Sequence, residues 1–249
     1  QEIRKLGGLF PENDRGGCSI MMKLIRLEWK KNNILKYIRN AVITTTVLLV
    51  FILMAARELE TQETVESYGK GMLDSSVGLF VHMSYIIFTG VMIAAYIVGA
   101  YEKKTMNLMF SYPIKRRKII LAKVSAVWIF NFLAMVVSKA VLYLALILTK
   151  SFTGITAVGI QAGKPSFWLE AVLSSAAMVS ISFIALPIGL KMKSSKVAIV
   201  ASVIIVCFTQ GNIGKATLMN NMPFYAMLFV AAAVSVYLSV CNVETKDLL

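Results

Sequence analysis

Six apolar runs restrict what this chain can fold into more than any other feature. They cover residues 41–56 (reaching back to Ile38), 77–100, 119–148, 167–190, 197–209 and 223–241. A helix needs about 20 apolar residues to cross a bilayer, and most of the runs approach or exceed that length. Of the 249 residues, 57% are hydrophobic and 16% charged, and the mean hydropathy is +0.71. Soluble domains carry about 45–50% apolar and about 25% charged residues, so a soluble enzyme, a secreted disulfide-stapled domain and a disordered chain are all excluded. The expected fold is an all-α integral membrane protein with six transmembrane helices. The third run exceeds the bilayer and should tilt or project beyond it. The fifth is short: it either borrows residues 210–213 or forms a hairpin that does not fully cross.

Lys and Arg total 26 against 13 acidic residues, a net charge of +13. In a soluble protein such an excess would suggest nucleic acid. Here the basic residues gather at the ends of apolar runs, so no nucleic-acid partner is expected. Twenty lie before the first run, between the second and third, between the fourth and fifth, and in the tail; five lie in the alternate loops. The positive-inside rule therefore places both termini in the cytoplasm. The first outer loop is acidic, with Glu58, Glu60, Glu63, Glu66 and Asp74. Cys18, Cys207 and Cys241 are odd in number and widely spaced, which makes no disulfide or metal pattern. With a single histidine and no paired intramembrane carboxylates, no catalytic constellation and no metal site are expected.

Residues 1–21 are read as a disordered or non-native extension, because the stretch is polar and Gly-rich and lacks the apolar core of a signal peptide. Met21-Met22 stands directly before well-patterned sequence, so translation is expected to begin there, and residues 22–249 form one membrane domain. Across residues 22–38, Leu24, Leu27, Ile34, Leu35 and Ile38 recur at roughly helical spacing among lysines and arginines. That pattern predicts an amphipathic helix in the headgroup layer, in contact with membrane lipid, with Trp29 as an interfacial anchor.

The most informative segment is residues 101–123, YEKKTMNLMFSYPIKRRKIILAK. Its first part suits a short helix with Met106, Leu108, Met109 and Phe110 as apolar members, broken at Pro113 before a basic cluster opens the third run. Exposed Met and aromatic side chains suit a groove on another protein. Ordinary juxtamembrane contact with anionic lipid explains the segment equally well.

Glu102-x-x-Thr105-x-Asn107-Leu108, then Pro113-x-x-Arg116-x-x-Ile119 and Ala122-Lys123, resembles the cytoplasmic loop of bacterial ABC type-2 permeases. The helix before the first run is similar to that family's elbow helix, and Glu244-x-x-Asp247-Leu248 to its short tail. The resemblance covers residues 22–249. It implies six spans with both termini inside, and a coupling helix that inserts into a separate ATPase subunit through Glu102, Thr105, Asn107, Leu108, Met109, Phe110, Pro113 and Arg116. It also implies re-entrant segments between spans five and six, for which 210–222 is short. A second permease subunit, identical or paralogous, is the other implied partner. The implied activity is export, across the bacterial plasma membrane, of an amphipathic substrate such as an antimicrobial peptide, drug or lipid-like compound.

No cofactor is expected on this chain, since ATP would sit on the partner. The nearest approach to a phosphate loop, Gly159 to Pro165, is one residue short and has Pro165 in place of the Mg²⁺-binding hydroxyl. Ionisable residues inside spans are candidate sites by default. Lys139 either snorkels or pairs locally, for instance with Glu170, or lines a substrate path; His82 is either structural or part of the same path. The competing functional class is an ATPase-independent membrane protein: a scaffold, a sensor partner or a secondary transporter.

Overall fold

The computed structural model describes residues 17–61, 72–102, 116–153, 165–210, 212–213, 216–217, 227–237 and 239. The described chain is helical apart from a small antiparallel hairpin. Helix α1 is Gly17–Lys31 and α2 is Ile34–Thr61. Helix α3, Met72–Ile93, continues through a π-helical turn, Ala94–Val98, into the short α4, Gly99–Glu102. Helix α5 is Arg116–Thr153, α6 Pro165–Ser182, α7 Ala185–Lys191, α8 Ser195–Gln210 and α9 Met227–Tyr237. The hairpin pairs β1, Asn212–Ile213, with β2, Ala216–Thr217. It stands where re-entrant segments were expected, so the all-α expectation needs that one amendment.

Among the described residues, four stretches are long and apolar enough to cross a membrane: Ile34–Ala55, Asp74–Glu102, Ile119–Thr149 and Pro165–Lys191. Helices α8 and α9 are shorter. At 1.5 Å per residue, the 16 residues of α8 span about 24 Å, less than the ~30 Å of a hydrocarbon core. Helix α3 is central and packs against α2, α5, α6 and α8. Val77, Val81, Tyr85, Ile86, Met92 and Ile93 are buried along it. Helix α2 is peripheral and leaves Val42, Val47, Val50 and Met54 exposed, the faces that hydrocarbon rather than water would cover.

Two boundaries differ from the sequence reading. The amphipathic helix begins at Gly17, before the expected Met22, because nothing between Gly17 and Met21 breaks a helix. It also stops at Lys31 rather than Ile38. Asn33 adopts a left-handed φ of 50°, which Asn tolerates better than most residues, and the Asn32 amide donates to Glu28 O at 3.1 Å to close the last turn. Ile34, Leu35 and Ile38 therefore belong to α2.

Pro187 lies in the first turn of α7, just after the break that separates it from α6. Proline has no N–H, so the carbonyl four residues back, Phe183 O, loses its helical donor. Leu186 N replaces it at 3.0 Å, and Ser235 Oγ of α9 donates to the same oxygen at 3.0 Å. The α7–α8 turn carries Lys193 at φ 47°, a conformation in which a Cβ is strained. Lys193→Gly is therefore expected to raise stability by about 0.5–1 kcal/mol, read as a later thermal unfolding midpoint in detergent.

Inside the bundle, serines and threonines satisfy themselves on their own helices. Thr45, Thr89, Ser175, Ser180, Ser182 and Thr209 each donate to the carbonyl four residues back. Close approach is reserved for glycine. At Gly90 of α3, an added Cβ would lie 2.2 Å from Ser202 Oγ of α8, and at Gly189 it would lie 2.7 Å from Ala198 Cβ.

Candidate coupling site

Helix α1 lies against the first turns of α5. Ile25 and Glu28, three residues apart and so on one face, are buried there, while Lys23, Arg26, Lys30 and Lys31 stay exposed. Trp29 is half-buried and its indole N–H donates to Ala126 O of α5 at 3.2 Å. The ring thus joins two helices through a backbone acceptor.

Glu28 Oε2 lies 2.8 Å from Lys123 Nζ, and the two side chains are 8% and 1% exposed. A buried pair holds only when its remaining hydrogen-bonding capacity is used. The Asn32 amide reaches the same carboxylate oxygen at 3.3 Å, and Lys123 Nζ makes a second bond, 3.2 Å, to Tyr96 O. Tyr96 sits inside the π-helical turn, and its ring meets Tyr37 of α2 edge-on with centroids 5.3 Å apart. One lysine therefore ties α1, α5 and the distal end of α3 together.

Glu102 stands on the other side of this junction. Its Oε2 accepts from Ser195 Oγ at 2.7 Å and from Ser195 N at 3.2 Å, so the carboxylate caps the N-terminus of α8. A negative charge there is favoured by the helix dipole. The Ser195 hydroxyl also lies 3.4 Å from Ala94 O, the first carbonyl of the π-helical turn.

Glu102 was expected to face a partner protein, and the structure places it at this cap, exposed. Thr105, Asn107, Leu108, Met109, Phe110 and Pro113 lie outside the described residues, and Arg116 opens α5. Glu28, Tyr96 and Ser195 were not singled out from the sequence. Glu28 had a legible signal: it is the one carboxylate within the strongly basic stretch 22–38.

Toward the other end of the bundle, Lys139 is 3% exposed and donates to Ser174 Oγ at 2.8 Å and Ala171 O at 3.3 Å. The local-pairing alternative for Lys139 thus includes two hydrogen bonds to α6. His82 is 1% exposed, with neither ring nitrogen hydrogen-bonded. Tyr85, Ser138 and Thr45 form a hydroxyl cluster joining α3, α5 and α2. Tyr143 OH donates to Asp74 Oδ1 at 2.8 Å. A cavity of about 370 Å³ lies between α5, α6 and α9, lined by Trp128, Phe183, Phe229 and Ala232 among others. A second, about 380 Å³, opens between α2 and α3 beside Asn40, Thr44 and Ser84. Neither His82 nor Lys139 lines either of these two cavities. Among the described residues there is no cluster of side chains able to hold a metal ion.

A family profile described as "ABC-2 family transporter protein" matches residues 24–210, from α1 through α8. The uncharacterized protein YcbO of Bacillus subtilis (strain 168) is 29% identical over 118 residues, which is 47% of this chain and 52% of that protein. The match therefore spans about half the length of this curated relative. No solved structure matches significantly.

Proposed function

The chain belongs to the ABC-2 family of transporter proteins, and from that premise we propose that it is the permease of an exporter powered by a separate ATPase subunit. Family membership makes it a membrane transport component; the partner, the direction and the cargo are this proposal. One observation carries it. The segment 103–115 leaves from Glu102, bonded to the start of α8, and re-enters α5 within two turns of Lys123, bonded to α1 and to the end of α3. A push on that segment is thereby delivered to four helices at once. Its Met and aromatic residues suit a groove on the ATPase. Six spans with both termini cytoplasmic follow from the distribution of basic residues, with α8 and α9 as the last two spans and residues 22–249 as one domain. A second permease copy completes a path for an amphipathic substrate across the bacterial plasma membrane. Lys139 and His82 keep their place as candidates along that path in a state other than this one.

Isolation of the tagged chain from its native membrane in mild detergent is expected to bring down a stoichiometric protein bearing a phosphate loop. Met109→Asp combined with Phe110→Asp is expected to reduce that recovery at least about tenfold, as a charge placed in an apolar groove must. Clean preparations without an ATPase in several detergents would instead favour the ATPase-independent class.

A further inference from the structure

The π-helical turn Ala94–Val98 contains one residue more than an α-helix would use at that place. Gly99 N donates to Ala94 O, five residues back. Such a turn has two discrete registers, because absorbing the extra residue into α-geometry rotates one side by about 100° relative to the other. Side chains from two other helices reach carbonyls of this turn. Tyr96 O accepts from Lys123 Nζ at 3.2 Å, and Ala94 O, which already takes Gly99 N, has Ser195 Oγ at 3.4 Å. Each donor is also in contact with a carboxylate, Lys123 with Glu28 and Ser195 with Glu102, both at hydrogen-bonding distance. The Ser195 hydroxyl has one proton for two acceptors. It stands 2.7 Å from Glu102 Oε2 and 3.4 Å from Ala94 O.

We propose that the π-helical turn is a two-register joint in which Lys123 and Ser195 act as positioning residues, and that a push on the helix ends at Glu102 and Arg116 switches its register. The idea rests on the proposed docking of an ATPase between those two ends. Tyr37 gives the readout, since its ring packs on Tyr96 and a change of register presents a neighbouring residue in its place.

The test uses the full chain with its three native cysteines changed to Ser. Cysteine at position 37 is paired in turn with cysteine at 95, 96 or 97, and disulfide yield is measured in membranes. Without nucleotide the 37–96 pair is expected to dominate. Lys123→Met is expected to move the preference to 95 or 97 by roughly tenfold, the weight of one charge-assisted hydrogen bond. Ser195→Ala, a smaller change for which folding is secure, is expected to shift it in the same sense. A 37–96 preference that persists in both variants, even with lower total yield, overturns the joint, because loosened packing lowers yield without changing the partner. With the ATPase bound, a non-hydrolysable ATP analogue is expected to produce the same shift, and an unmoved preference there overturns the coupling role. Failure to recover any ATPase counts against the proposed function instead, and the two variants still decide whether the joint exists.

Discussion

Glu28→Ala is expected to lower the thermal unfolding midpoint in detergent by roughly 10 °C and to release α1 from α5. The pair lies almost fully out of solvent, so removing the carboxylate leaves the Lys123 ammonium desolvated beside apolar side chains and one backbone carbonyl. Breaking a buried pair in this way costs about 3–5 kcal/mol, and a chain of this size loses about 2–4 °C per kcal/mol. Changing both residues to Met removes both desolvated ions and is expected to recover most of the loss, although Tyr96 O then loses its donor. The exchanged pair Glu28→Lys with Lys123→Glu should recover less, since a carboxylate cannot donate to Tyr96 O. Differential scanning fluorimetry of the three variants beside the parent decides the matter. A Glu28→Ala midpoint within about 2 °C of the parent would mean that the ion pair contributes nothing net.

The second large effect is expected at Gly90→Ala. The new methyl would meet Ser202 Oγ at 2.2 Å and Ser202 Cβ at 2.3 Å; a rotamer change can move the Oγ but not the Cβ. Helices α3 and α8 must separate, which opens the tightest crossing at the centre of the bundle. Overpacking of a well-packed core ordinarily costs about 1–3 kcal/mol, and here the obstacle includes a Cβ, so the upper end is expected. Ser202→Ala should not rescue the variant, because its Cβ remains, whereas Ser202→Gly should. Monodisperse yield after detergent extraction, followed by unfolding temperature, reads the outcome. Rescue by Ser202→Ala would mean that the hydroxyl alone sets the spacing.

The pattern of apolar runs made the helices legible, since a backbone in hydrocarbon must satisfy its own N–H and C=O groups. The Pro187 break was legible for the same covalent reason that makes it, a missing N–H. The stop at Lys31 was less so, because Leu35 and Ile38 continue the apolar spacing and only the paired asparagines mark the turn. The candidate site was half visible. Glu102 and Lys123 stood in the motif that carried the family resemblance, but their partners stand 93 and 95 residues away along the chain.

The sequence by itself determined the membrane class, the places where most helices begin and break, and the side of the membrane on which the basic segments are expected. Those properties are local: they follow from hydropathy over some twenty residues, from proline chemistry and from charge counted at span ends. Only the tertiary structure decided that Glu28 meets Lys123, that Glu102 caps α8, and that Lys139 bonds to Ser174 of α6. It also decided that α3 carries a π-helical turn at 94–98, where Ala-Ala-Tyr-Ile-Val would suit an uninterrupted α-helix. Lys123 of α5 reaches one of its carbonyls, Tyr96 O. Contacts of that kind depend on how helices distant in sequence cross, and no local pattern of residues encodes them.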